Sequence, residues 1–498
     1  MKYEPVIGLE VHAQIHTASK MFCSCPVAED TGNLPPNSYV CPVCTAMPGV
    51  LPVINRRAVE IAMVTGLALH CAVSPLTRFA RKSYFYPDLP KGYQISQYPP
   101  VFAPLAVNGY LDVESEAGPR RIRINRAHLE EDTGKLAHVD GASLVDFNRA
   151  GVPLLEIVSE PDLRSVEQVR DYATKLHSIL VYLGVSSGDM EKGVMRFEAN
   201  VSVRPAGSDL LNPRHEIKNL NSFRALARSV AYEIEEQIRT LEGGGTVTQQ
   251  TMGWDEARGV TVPQRGKEYA DDYRYFPEPD LPLLEISREW VEELRANLPE
   301  LPEARRSRFV GDYGLSDYDA GVLVAGKAIA DYYEATVAAA AGRADPKAVA
   351  NWVTGELFRL MKEAGRAIEA VPVSPQALAE LIGLVEEGTI NLNTGKEVLA
   401  DMAASGRSAC RIVEERGLAQ ISDAAALEAI VAQIVEQHPT QVNQYLEGKE
   451  QLLGWLMGQV MKATRGQANP QAVQELLQTQ LEARRKVLPH SSAQPAGR

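Results

Sequence analysis

At 498 residues, 45% hydrophobic and 23% charged, the chain has an ordinary globular composition and the length for about two to four domains. A net charge of −13 and a pI near 5.4 argue against a protein that coats nucleic acid non-specifically. The first residues carry charge within their apolar stretch, and no run of about 18 uncharged apolar residues occurs. The expectation is a cytoplasmic protein with no secretory signal and no membrane contact.

Pro5 to Ile15 alternates: Ile7, Leu9, Val11, Ala13 and Ile15 take one face, and Gly8, Glu10, His12 and Gln14 the other. Period two predicts a strand, with Glu10 and His12 projecting together as the start of a metal or phosphate site. Cys23-x-Cys25 and Cys41-x-x-Cys44 follow, four of the six cysteines. Two close pairs at this separation suit a closed, tetrahedral and therefore structural zinc site. Cys71 and Cys410 stand alone and read as small buried hydrophobes.

Lys82 to Gln97 packs Tyr84, Phe85, Tyr86 and Tyr93 beside Lys82 and Lys91, interrupted by Pro87, Pro90 and Gly92. No helix or strand period fits, so the stretch reads as an ordered aromatic loop, which is where binding sites tend to sit. Arg120, Arg121, Arg123 and Arg126, and further on Arg305, Arg306 and Arg308, read as solvated clusters. Strands are expected at 121–125, 144–148, 154–158 and 194–203, with one helix opened by Ser165 and Gln168 and closed by Gly184. The segment from His128 to Lys135 offers Glu130, Glu131 and Asp132; Glu198 and Glu216 lie on other strand-like segments. Carboxylates from separate strands plus one imidazole suit magnesium or manganese. Taken singly, each carboxylate reads more readily as a solvated or salt-bridged residue than as a metal ligand.

A break comes near Pro279–Pro282. Beyond it the chain turns helical, with apolar stripes at Leu378/Leu381/Ile382/Val385, Leu427/Ile430/Val431/Ile434/Val435, Leu453/Leu456/Met457/Val460/Met461 and Val473/Leu476/Leu477. Such stripes predict bundle core. Gly321 to Ala328 nearly fits a phosphate-binding loop, but Ala328 replaces the needed hydroxyl and no strand precedes it, so it reads as helical.

VIGLEVHAQ, KSYFYPDLPKGYQISQ, HLEEDTGK, HEIKNLNSF and YRYFPEPDLP, in this order, resemble the B subunits of bacterial aspartyl/glutamyl-tRNA amidotransferases, and the resemblance covers nearly the whole chain. It implies an α+β fold: a cradle-shaped catalytic domain (1–290, here carrying the zinc knuckle read from cysteine spacing, which many relatives lack), a helical domain (291–400), a YqeY-like helical tail domain (401–485) and a flexible tail (486–498). It implies ATP-dependent phosphorylation of the side chain of Glu on the glutamine tRNA, or Asp on the asparagine tRNA, followed by amidation. The ammonia would come from a separate glutaminase (amidase) subunit, and a small third subunit would hold the complex together. Carried over by position, Glu10, His12, Glu131 and Glu216 are the expected catalytic magnesium ligands. Glu198 joins them with a departure, since relatives commonly have Cys-Asp where this chain has Phe197-Glu198. Lys82, Lys91, Tyr84 and Tyr86 are assigned to ATP; Cys23, Cys25, Cys41 and Cys44 to a structural zinc. Lys449, Lys462 and Arg465 are expected tRNA contacts in the tail domain. The competing reading is a non-enzymatic tRNA-binding scaffold. An archaeal-type subunit is disfavoured, because no room remains for an inserted domain after Pro282.

Overall fold

The computed structural model describes residues 2–28, 34–97, 102–116, 118–264, 273–419, 424–464 and 467–487. The chain divides into two compact units, Met1–Pro302 and Glu303–Arg498. Within the described residues it is α+β, with nearly all the strands preceding nearly all the helices.

The strands of the first unit are β1 (Tyr3–Gln14), β2 (Ala72–Val73), β3 (Leu76–Thr77), β4 (Ala80–Ser83), β5 (Tyr93–Ser96), β6 (Ala106–Val113), β7 (Arg120–Glu131), β8 (Lys135–Val139), β9 (Ala142–Asp146), β10 (Pro153–Ser159), β11 (Met195–Pro205), β12 (His215–Leu220), β13 (Gln250–Asp255), β14 (Val260–Pro263), β15 (Phe276–Pro277) and β16 (Leu284–Glu285). The main sheet runs β14-β13-β12-β11-β1-β10-β7-β5-β4-β15, with β6 on the N-terminal half of β7. Every pairing in it is antiparallel except β12–β13. β1 lies centrally, and its alternation resolves as expected: Ile7, Leu9, Val11 and Ala13 are buried in the core. Ile7, Leu9 and Val11 each contribute about 1.5–3 kcal/mol on full burial.

Helices α1 (Arg56–Ala68), α2 (Val166–Tyr182), α3 (Phe223–Glu242) and α4 (Arg288–Ala296) pack on this core. The Ser165 side chain accepts from the Gln168 amide, as the capping pattern of α2 anticipates. The sequence reading expects no helix at α1 or α3. Their caps, Asn55 and Ser222, accept from Ala58 and Ala225 in the same way. Gly66 lets α1 approach β6 closely, since a Cβ there would stand 2.7 Å from that of Ala106.

Two expectations are corrected. The stretch from Lys82 to Gln97 is not loop throughout: its ends form the β4–β5 hairpin ladder, Lys82 opposite Gln94 and Ser83 opposite Tyr93. Ladder hydrogen bonds to a distant strand, with Ser96 opposite Glu130, stabilise an extended form that the local pattern does not reveal. The first unit also continues past 290, because Trp290, Val291, Leu294, Leu298 and Leu301 pack against its core.

In the second unit one core spans Phe309 to Val413, past the expected boundary at 400, and another spans Leu427 to Leu481. The expected stripes supply both: Leu378, Leu381 and Ile382 to one, Leu427, Val431, Leu456, Val460, Val473 and Leu477 to the other. The near phosphate-binding loop lies where helix Asp317–Leu323 gives way to helix Lys327–Ala340, with no strand before it. Lys449 and Lys462 are exposed; Arg465 and the tail beyond Val487 lie outside the described residues. Among the described residues no helix is long and apolar enough to cross a membrane.

Candidate functional site

Cross-strand register builds the site. His128 on β7, Glu156 on β10, His12 on β1 and Arg196 on β11 stand opposite one another in one row across four strands. Glu10 pairs with Glu198 two residues along, and Asn200 pairs with Glu216 of β12. Glu10 and His12 of β1 therefore face a cavity of about 730 Å3, while Ile7, Leu9, Val11 and Ala13 fill the core.

Two irregularities aim the remaining side chains. Between Val158 and Ser159 the register slips against β7, leaving Asn125 as an extra residue. Ile122 and Ile124 then face the core on one side of the bulge, whereas Arg126, His128, Glu130 and Asp132 face the cavity on the other. A second slip between Phe197 and Ala199 places an extra residue on β12, where Asn219 takes φ 57°. It lets Ile217 and Leu220 both reach the core while Glu216 and Lys218 point into the cavity.

Two groups of potential cation ligands result, each with atoms within 4.8 Å of one another: His12/Glu130/Glu156 and Glu10/Glu198/Glu216. His12 Nε2 lies 3.5 Å from Glu156, and its Nδ1 is buried without a hydrogen-bond partner. Hard carboxylate ligands from five strands, with the His12 imidazole in the first group, suit magnesium or manganese. Cations surround them. Arg126 lies 3.3 Å from Glu156, and Lys218 lies 3.4 Å from Glu198 and 3.7 Å from Glu216. Lys82, Arg196 and Arg214 line the same cavity.

The charges are mutually tuned. Burial alone would raise Glu156, but the hydrogen bond from His12 and the charges of His12 and Arg126 hold it well below the carboxylate range. His12 is raised, since Glu156 outweighs the effect of burial. Burial dominates at His128 and lowers it to about 4, a neutral imidazole. Glu130 is raised by burial and by Glu156. For Lys82 burial opposes the charge, yet the Glu130 carboxylate and its neighbours raise it. Burial opposes ionisation of Asp132, but Arg149 and Arg196, with Gln14 donating at 2.5 Å, lower it to about 2.

The structure brings Glu10, His12, Glu198, Glu216, Lys82, Tyr84 and Tyr86 to the cavity. The Lys82 ammonium stands 5.1 Å from the ring of Tyr273, which meets Tyr84 edge-on, so two separate sequence motifs close one wall. Glu131 and Lys91 are corrections. Strand alternation turns Glu131 away from the cavity and toward the cysteines, where it pairs with Lys91 and accepts from the Ile95 amide at 2.9 Å. Glu130 is the carboxylate of this pair that faces the cavity, beside His12 and Glu156. Arg126 is no surface charge, unlike Arg121 and Arg123, which pair with Asp112 and Asp162. Glu156, Arg196 and Lys218 were not anticipated. The available signal for Glu156 was a carboxylate inside the apolar strand run LLEIV.

Cys23, Cys25, Cys41 and Cys44 converge, with sulfur atoms within 4.8 Å of one another. A zinc tetrahedron of about 2.3 Å bonds has edges of about 3.8 Å, and the Cys25–Cys44 separation is 3.9 Å. Lys20 is 0% exposed; its ammonium donates to Phe147 O at 3.1 Å and lies 3.6 Å from Cys44 Sγ, where a thiolate charge would balance it. Cys44 is lowered to about 4 by its hydrogen bond with Cys23, with Lys20 assisting.

Residues 5–292 match the GatB/GatE catalytic domain, and residues 331–481 match the GatB domain. The B subunit of the aspartyl/glutamyl-tRNA(Asn/Gln) amidotransferase of Roseiflexus sp. (strain RS-1) is 54% identical, over 97% of this chain and 99% of the relative. The protein of the same name from Moorella thermoacetica is 54% identical over 97% of this chain and 100% of its own length. That from Geotalea uraniireducens is 50% identical over 96% and 99%. The catalytic-domain match spans more than half of the chain and these relatives align along almost all of it, so the chain belongs to the B-subunit family of the aspartyl/glutamyl-tRNA(Asn/Gln) amidotransferases.

Proposed function

We propose that this chain uses ATP to phosphorylate the side-chain carboxylate of Glu carried by the glutamine tRNA, or of Asp carried by the asparagine tRNA, and then amidates it. The observation that carries the reading is the cluster of Glu10, His12, Glu130, Glu156, Glu198 and Glu216, ringed by cationic side chains in one cavity. A carboxylate oxygen is a poor leaving group, and transfer of the γ-phosphoryl group makes it a good one. Ammonia then attacks the carbonyl carbon, the new C–N bond forms, and the C–O bond to phosphate breaks. Phosphoryl transfer depends mainly on positioning and charge neutralisation.

His12, Glu130 and Glu156, together with Glu10, Glu198 and Glu216, would hold magnesium, which neutralises charge on the transferring phosphoryl group. Lys82, Arg126, Arg196 and Lys218 add fixed positive charge toward phosphate and carboxylate oxygens. Tyr84 and Tyr273 border the cavity and restrict water, which would hydrolyse the acyl phosphate. The four cysteines hold a structural zinc in a closed shell away from the reacting groups. Ammonia comes from a separate glutaminase subunit, a small third subunit completes the complex, and the cytoplasm supplies the misacylated tRNA. Exposed Lys449 and Lys462 contact tRNA from the last helical region.

The test is reconstitution with the amidase and third subunits, followed by ATP-dependent amidation of each misacylated tRNA. Glu10→Ala is expected to abolish amidation while the partner's glutaminase activity survives. Full amidation by Glu10→Ala would leave the chain as a tRNA-binding scaffold and overturn the catalytic reading.

A further inference from the structure

Phe85 is 83% exposed, the most exposed large hydrophobic side chain among the described residues. It does not sit on a slack loop. Within the turn between β4 and β5, the Leu89 amide donates to Tyr86 O at 3.0 Å and the Gly92 amide to Leu89 O at 2.9 Å. Asp88 O accepts from the Gly134 amide at 2.9 Å, which ties the turn to the chain just beyond β7. Gly92 has φ 73°, and a Cβ there would stand 3.2 Å from Phe85 Cε1, so the ring rests against a bare Cα. Pro87 and Pro90 stiffen the same turn. The fold thus holds one aromatic ring in water, in a fixed place.

That place adjoins the catalytic cavity. Tyr86 lines the cavity and also the shallow surface recess of about 520 Å3 formed with Phe85, Leu89, Pro90 and Lys91. The aminoacyl group of the proposed substrate is esterified to the 3′-terminal nucleoside of tRNA. When its side-chain carboxylate reaches the cation ligands, the terminal, unpaired nucleotides must occupy the cavity mouth. Cationic Lys82, Arg126, Arg196 and Arg214 line the space inside. Every base has a π face, and stacking on an aromatic side chain is the usual means of holding unpaired nucleotides. The Phe85 ring with the half-exposed Tyr86 beside it, flanked by prolines, is too small for the apolar centre of a stable protein interface.

We propose that the Phe85 ring is a stacking platform for an unpaired base at the 3′ end of the aminoacyl-tRNA. The proposal rests on the functional reading above. It makes Phe85 a positioning residue that acts on substrate capture and leaves the phosphoryl chemistry to the cavity.

The experiment uses the full chain in the reconstituted complex with Phe85→Ala, Phe85→Leu and Phe85→Trp. KM for misacylated tRNA is expected to rise about tenfold or more in the Ala and Leu variants, the equivalent of about 1.4 kcal/mol of lost stacking. KM for ATP and the partner's glutaminase activity stay unchanged, and Trp restores binding where Leu, of similar bulk but without a π face, does not. In parallel, uncharged tRNA carrying 2-aminopurine as its last base is titrated with each complex. Quenching by wild type and Phe85→Trp, lost in Ala and Leu, supports the platform. Unchanged KM and unchanged quenching in the Ala and Leu variants overturn it. Loss of co-elution with the amidase subunit in Phe85→Ala also overturns it, by making the ring a protein contact. The fluorescence titration needs no turnover, so a wild-type complex that quenches but never amidates would count against the functional reading and leave the platform standing.

Discussion

Glu130 and Glu131 are adjacent in sequence and face opposite ways, which makes a paired substitution decisive. Glu131 pairs with Lys91 at side-chain exposures of 4% and 15% and accepts from the Ile95 amide at 2.9 Å. In Glu131→Gln the amide oxygen still serves Ile95, but the charge that balances the Lys91 ammonium is gone. Hydrogen bonds to charged groups contribute about 1.5–3 kcal/mol, and removing one partner of a fully buried pair costs about 3–5 kcal/mol. Lys91 keeps some access to water, so the loss should fall near the lower figure, about 2 kcal/mol. That is about a 30-fold rise in local opening of β5. Hydrogen exchange of the Tyr93–Ser96 amides, followed by mass spectrometry on the full chain, reads it directly. Manganese binding, followed by electron paramagnetic resonance, should be unchanged in Glu131→Gln and weakened at least tenfold in Glu130→Gln. Loss of manganese binding in Glu131→Gln with β5 protection intact would refute the facing inferred from strand alternation.

Three other outcomes are expected. Glu156→Gln should lower amidation by at least 100-fold in the reconstituted complex while glutaminase activity persists, because Glu156 draws together His12, His128 and Arg126; near wild-type amidation would remove it from the site. Glu233 is fully buried and accepts from His215 at 2.5 Å and from Gln237 and Thr261 at 2.9 Å each. Burial alone would lower the His215 imidazole, but the bond and charge of Glu233 raise it above 6.5. Its contribution is therefore complete below the unfolded value of about 6.5 and is lost as pH rises through the folded one. Glu233→Gln should destabilise β12 by about 2 kcal/mol at pH 6 and by less at pH 9, and an equal or larger difference at pH 9 would contradict the charged pair. Cys44→Ser should abolish stoichiometric zinc, measured by elemental analysis, and lower the melting temperature before it lowers magnesium-dependent amidation; parallel loss of both at low temperature would argue against a purely structural metal.

Much of this protein can be read locally. The strand period of Pro5–Ile15 is enough to put Glu10 and His12 on one face, because side chains alternate whatever the partner strands are. Two cysteine pairs at short spacing announce their convergence, since few local geometries satisfy four thiols at once. The helical stripes beyond Pro302 carry their own period and fill the two later cores. Other features depend on pairing between distant segments. Whether Glu130 or Glu131 faces the cavity turns on a one-residue bulge at Asn125, and a one-residue slip reverses every side chain that follows. Arg126 became a cavity cation by that same slip, and the bulge at Asn219 returned Leu220 to the core. Glu156 gained its role only when β10 was laid between β1 and β7. Sequence by itself determined β1, α2, the later helical stripes and the paired thiols, because their patterns are short-range. The tertiary structure decided which carboxylates converge and that Lys91 pairs with Glu131, because register across strands is set by partners distant in the chain.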